Sequence, residues 1–282
     1  MFKISFSSLG NPDMPIERFA ELLGRSGYDA VALRGRPGKH VHWQDDADRR
    51  AQVRRTLAQA GLGVSALATY VFVATRDSGG AERSDTRNEQ ENIEELLRWI
   101  DLAKDLGAET VRVFGGALTP GETHEDAMPR VARIMDAAAE AYPDVNVAIE
   151  LHDVWNSSAL AARLLALTHH ANCKVVWDIQ ATESAGESRA DVIANLGPER
   201  IAYVQVADKF MLPDGTVYHC LLGAGETPVA QIMAELASAG WSGYLDCEYE
   251  AFYNPYMPGV DVAIPQTIMK LREWEQFIVH GS

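Results

Sequence analysis

Four apolar segments in the C-terminal half of the chain each carry an oxygen-bearing side chain near their end. VAIEL has Glu150, VVWD has Asp178, YVQV has Gln205, and LDCEYE has Asp246, Glu248 and Glu250. One polar residue in one apolar segment is ordinary; four in succession at similar depth form a pattern. A carboxylate sunk among apolar residues without a partner costs several kcal/mol. A bound cation would supply the missing positive charge. Oxygen donors suit hard ions such as Mg²⁺ or Mn²⁺, whereas zinc sites favour His and Cys. In the last segment Asp246, Glu248 and Glu250 share a face by alternation, and Glu248 best matches the depth of the other three. Bland readings exist for each residue: Glu150 paired with an arginine, Asp178 capping the next helix, Gln205 a satisfied core amide.

These segments need a frame. Eight short apolar runs recur along the chain: Phe2–Ser7, Ala30–Leu33, Val64–Val73, Thr110–Phe114, Val145–Leu151, Lys174–Ile179, Ile201–Ala207 and Gly243–Tyr249. They are rich in β-branched residues and apolar on both faces, as strands of a covered parallel sheet are. Amphipathic patterns lie between and after them, at 15–26, 46–60, 89–106, 124–141, 157–168, 188–196, 227–239 and 265–278. In 89–106 Ile93, Leu96, Leu97, Ile100 and Ala103 keep the helical spacing and Gly107 follows as a stop. Thr227 reads as an N-cap with Pro228 in the first turn, and Pro265 as the opening of the last helix. Strand and helix alternating in this way over 282 residues specify a (β/α)8 TIM barrel, α/β in class, as a single domain over 1–282. A doubly wound sheet is the alternative, but GxGxxG follows none of the first four strands. In a barrel the strand ends named above would meet at one mouth.

Composition narrows the function. Twenty-five basic against 40 acidic residues give a formal net charge of −15, which disfavours a general nucleic-acid binder and an anionic membrane surface. No apolar run is long enough for a membrane span, and MFKISFSSLG lacks the apolar core of a signal peptide. Cys173, Cys220 and Cys247 lie far apart with no CxxC, the pattern of reduced thiols in a cytoplasmic protein.

The ordered set of IELH at 149–152, WDIQ at 177–180, VQVAD at 204–208, LLGAGETP at 221–228 and LDCEYE at 245–250 resembles the sugar isomerase/epimerase superfamily, the xylose-isomerase-like barrels. The resemblance covers nearly the whole chain. It implies a divalent ion, Mn²⁺ or Mg²⁺, held by Glu150, Asp178, Gln205 and Glu248, with Glu150 and Glu248 as the catalytic acid–base pair. Gln205 stands where most members have His, although hydroxypyruvate-isomerase-like members show Gln as the ligand in a QxAD segment. Many epimerases have a His three residues after the Asp; here that position is Ala181. The implied reaction is proton transfer next to a carbonyl of a keto-sugar or small hydroxy-carbonyl compound, giving isomerisation or epimerisation. A dehydratase or lyase acting on a keto-sugar or inosose uses the same groups, and a non-catalytic sugar-binding subunit would lack one of the glutamates. An abasic-site endonuclease branch needs a histidine-rich zinc cluster and a basic surface, and neither is present in the sequence. The resemblance further implies a homo-oligomer, dimer or tetramer, with a small carbohydrate as substrate.

Further residues are candidates for the mouth. His152 lies two positions beyond Glu150 and is placed to contact a substrate hydroxyl. Arg34 and Arg112, at the ends of the second and fourth strands, read either as anion binders or as partners of a ligand carboxylate. Lys209, after VQVAD, reads as an anion anchor. Tyr70, Trp155 and Trp177 are aromatic surfaces for a sugar face or for the core. The acidic chain, with no strong phosphate motif, favours an uncharged substrate.

Overall fold

The computed structural model describes residues 1–74 and 88–280. Eight parallel strands close into a barrel: β1 (Lys3–Ser7), β2 (Ala30–Arg34), β3 (Gly63–Phe72), β4 (Thr110–Phe114), β5 (Asn146–Glu150), β6 (Cys173–Asp178), β7 (Ile201–Val206) and, after an inserted hairpin, β10 (Tyr244–Cys247). The hairpin is antiparallel, β8 (Asp208–Met211) against β9 (Val217–Cys220). Around the barrel run α1 (Ile16–Ser26), α2 (Ala47–Gln59), α3 (Glu89–Leu106), α4 (His124–Ala141), α5 (Ser158–Leu165), α6 (Ile179–Ser184), α7 (Arg189–Leu196), α8 (Val229–Ser238) and α9 (Val260–His280). Among the described residues no helix is long and apolar enough to cross a membrane. All eight expected strands are present, and the TIM barrel is the observed fold.

Local signals account for the helix limits. Asn88 and Glu91 form a capping box at the start of α3, and Gly107 closes that helix at φ +71°. Thr123 and Asp126 do the same for α4. Two expected boundaries are corrected. Thr227 does not cap α8: its backbone N–H donates to Asp208 at 3.0 Å and Pro228 takes the cap position. Pro265 does not open α9, which begins at Val260; burial of Val260, Ala263 and Ile264 carries the helix through the missing proline N–H.

Two apolar layers build the core. The larger lies between strands and helices, where Ile4, Leu33, Leu67, Val113, Ile149, Val175 and Val204 meet helical residues such as Phe19, Leu96 and Met135. The smaller fills the barrel itself: Ala30, Ala32, Ala66, Ala148 and Val176 with Tyr203 and Tyr244. Alternation then sends the next inward residues upward from this floor. Arg34 follows Ala32, Glu150 follows Ala148, Asp178 follows Val176, Gln205 follows Tyr203, and Asp246 follows Tyr244. The floor is apolar, and the polar groups lie at the carboxyl ends of the strands, where barrels of this type carry their sites.

Candidate active site

The mouth holds a cavity of about 190 Å³ whose walls include Arg34, Tyr70, Arg112, Phe114, Glu150, His152, Glu248 and Glu250. That is below the 300–1,000 Å³ usual for drug-sized ligands, so it suits a compact molecule. Register brings the expected residues together. Asp178 pairs in the ladder with Gln205, and Gln205 with Asp246. Glu150 pairs with Phe114 on its other side.

Glu150 is 1% exposed and Arg112 is 3% exposed. Arg112 Nε lies 2.9 Å from Glu150 Oε2, yet this nitrogen makes no aligned hydrogen bond, so the contact is mainly charge on charge. Arg112 also donates through Nη1 to the Thr69 carbonyl at 3.0 Å and lies 3.8 Å from the centre of the Phe114 ring. Gln205 donates from Nε2 to the same Glu150 oxygen at 3.5 Å. Its Oε1 is buried with no partner among the described residues. A satisfied core amide would not leave its acceptor empty.

Asp178 and Glu248 are half-buried. Loss of hydration, with the nearby Glu150 carboxylate, pushes Asp178 up to about 7. Loss of hydration, then Glu150 and Asp178, hold Glu248 well above the usual carboxylate range. Below them Asp246 accepts from Ser5 Oγ at 2.6 Å, and burial pushes it up to about 7. Asp178 also accepts from the Gln180 N–H at 2.9 Å and so caps α6. The capping reading of Asp178 and the arginine-paired reading of Glu150 are therefore both realised, at the same mouth.

The expected four-ligand cage is not drawn tight. Among the described residues no three His, Cys, Asp or Glu side chains converge as a metal centre. The physical reason is visible: Glu150 is turned to Arg112 and Asp178 to the start of α6. The donor set nonetheless fits a hard dication. It is all oxygen, Gln205 Oε1 has no partner, and the three carboxylates repel one another where hydration is lost.

His152 stands at the cavity wall, edge-on to Phe114 at 5.0 Å. Just past it Asp153 adopts φ +50°, a conformation open to Asp, and the chain turns into a pocket for Trp155. Trp155 donates to the Gly116 carbonyl at 3.0 Å and lies against Gly115, where a Cβ would come within 2.2 Å of the indole. Trp155 and Trp177 are core residues, not sugar platforms. Tyr70 does line the cavity. Lys209 sits on the hairpin, pairs with Glu183 at 3.3 Å and is not among the residues that line this cavity. Sequence reasoning missed Tyr253 and Phe114 as walls; alternation two residues beyond Arg112 could have found Phe114, whereas no spacing signal marks Tyr253.

Asp208 shapes the turn beyond β7. Its carboxylate accepts the N–H groups of Gly223 at 2.8 Å, Gly225 at 2.9 Å and Thr227 at 3.0 Å. A Cβ on Gly225 would come within 2.4 Å of that carboxylate, so the LGAGE turn requires glycine there.

A family model described as xylose isomerase-like TIM barrel matches residues 20–273. The chain belongs to that family. No curated protein matches the sequence of this barrel. Among solved structures it is similar to an L-ribulose 3-epimerase, with 17% identity, a TM-score of 0.76, and coverage of 100% of this chain and 97% of the other. The IOLI protein with a bound zinc atom is similar at 17% identity and TM-score 0.75, covering 99% and 98%. A fusion of a xylose isomerase-like barrel with 4-hydroxyphenylpyruvate dioxygenase matches at 18% identity and TM-score 0.75; 98% of this barrel is covered, and it spans 43% of that chain. At such identities these likenesses establish the fold.

Proposed function

We propose that this barrel is a divalent-metal-dependent isomerase or epimerase acting by proton transfer next to the carbonyl of a small sugar or related hydroxy-carbonyl compound. The observation that carries the reading is the grouping of Glu150, Asp178 and Glu248 with the unpartnered Oε1 of Gln205 at one mouth. Those four residues would hold the ion, and the all-oxygen set favours Mg²⁺ or Mn²⁺. When bound, such an ion polarises a substrate carbonyl and so acidifies the neighbouring C–H.

The protein's own groups do the rest. Glu150 ends β5 and Glu248 follows β10, both line the cavity, and they divide the proton work, one removing and one returning. Arg112 fixes the Glu150 carboxylate so that it does not swing freely. His152 meets a substrate hydroxyl from the rim, and Tyr70 and Phe114 offer faces that keep water off the reacting carbon. The apolar patch formed by Met211, Val217 and Tyr218 on the hairpin, with Tyr256 beside it, supports the homo-oligomer that the family resemblance implies.

The test is deuterium uptake from D₂O into a panel of keto-sugars, with Mn²⁺ or Mg²⁺ present. Glu150→Gln and Glu248→Gln should each lower uptake by roughly 10³-fold or more, since general acid–base groups contribute about 10²–10⁴-fold apiece. EDTA should stop uptake and either ion restore it. Uptake that persists in both variants, or in EDTA, sinks the proposal.

A further inference from the structure

Three carboxylates and two guanidinium groups share the cavity wall: Glu150, Glu248 and Glu250 with Arg34 and Arg112. Arg112 is committed to Glu150 at 2.9 Å. Among the described residues Arg34 has no such partner. It is 3% exposed. Its Nη2 donates to the Tyr253 hydroxyl, and its Nε and Nη1 have no acceptor among the described residues. The Tyr70 and Tyr253 rings lie 4.8 and 5.3 Å from its guanidinium carbon, and Phe252 lies at 5.9 Å.

These contacts leave its Nε and Nη1 unmet among the described residues, and a guanidinium taken out of water is costly unless its donors find acceptors. Arg36 and Arg112 add repulsion, and burial with these like charges draws Arg34 below its ordinary value. The aromatic rings hold the planar group in one orientation, which suits it to receive an anion without further ordering.

We infer that the substrate of this site carries a carboxylate, and that Arg34 is the residue that binds it. The assignment rests on reading the mouth as a substrate site, and it replaces the uncharged substrate favoured by composition. A monoanion fits better than a phosphate. With Arg112 offset by Glu150, Arg34 is left as the unpaired guanidinium of a cavity of about 190 Å³, and its single positive charge balances a monoanion rather than a dianion. The substrate class is therefore a compact sugar acid or hydroxy-keto acid. Arg34 sets specificity and takes no part in proton transfer.

Sugar acids of three to six carbons (aldonates), the matching neutral amides, and sugar phosphates of the same length are titrated calorimetrically into the intact protein. At least one aldonate should bind ten times or more tighter than its amide. That preference should vanish in Arg34→Gln and persist in part in Arg34→Lys. Should Arg34→Gln fail to fold, the aldonate–amide comparison on the unaltered protein decides alone. Absence of aldonate binding, amides that bind as well as aldonates, an aldonate preference that survives Arg34→Gln, or tighter binding of the phosphates overturns the assignment. If deuterium uptake fails while the preference stands, proton transfer is refuted and the carboxylate site is not.

Discussion

Arg112→Met isolates the charge that Arg112 supplies to the mouth. The substitution keeps most of the side-chain volume and removes the guanidinium. Glu150, 1% exposed, is then left without its cation. Removing one partner of a buried ion pair costs about 3–5 kcal/mol. The Thr69 carbonyl loses its donor at 3.0 Å as well, for about 1 kcal/mol more. The expected loss is about 4–6 kcal/mol, close to the whole stability of many domains. The assay is urea unfolding followed by tryptophan fluorescence, in EDTA so that no metal replaces the lost charge. Glu150→Gln in the same background removes the stranded carboxylate and should recover roughly half of the loss. A loss under about 1 kcal/mol for Arg112→Met, or a double variant no more stable than the single one, refutes the argument that Arg112 neutralises Glu150.

Two further outcomes follow from the same geometry. Asp208→Ala strands the N–H groups of Gly223, Gly225 and Thr227 and should cost about 3–5 kcal/mol in thermal or urea unfolding, with faster proteolysis between 221 and 227; unchanged stability would show the turn holds without it. Arg130 beside Glu122 holds that carboxylate down at about 2, below the unfolded value of 4.5, so the pair stabilises above pH 4.5 and its contribution is lost as pH falls toward 2. Glu122→Gln should therefore cost about 2 kcal/mol at pH 7 and almost nothing near pH 2, read as the difference in unfolding free energy between the two proteins.

The barrel was legible because its strands are apolar on both faces and its helices are not, and that contrast survives in a single sequence. Gly107 marked the end of α3 in the sequence, and Asn88 and Thr123 cap α3 and α4 through local chemistry that acts without help from the rest of the fold. Thr227 misled because it stands one position too early: Pro228 occupies the cap position, and Asp208 ties the Thr227 N–H into the preceding turn. The β8–β9 hairpin escaped notice because its short strands carry no clear alternation and pair only with each other. At the site, the grouping of Glu150, Asp178, Gln205 and Glu248 followed from strand ends alone. The partner of Arg112, the missing partner of Arg34 and the turning of Lys209 to Glu183 depend on rotamers and neighbours that spacing does not encode.

The small residues at the base of the barrel have a consequence for how such a protein can diverge. Ala30, Ala32, Ala66 and Ala148 leave room that Tyr203 and Tyr244 fill from the facing staves. A larger side chain on one flank then calls for a trimmed ring on the other. Paired exchanges of that kind would raise or lower the bottom of the cup beneath an unchanged set of acids, so the length of molecule accepted can drift while the chemistry at the rim stays as it is.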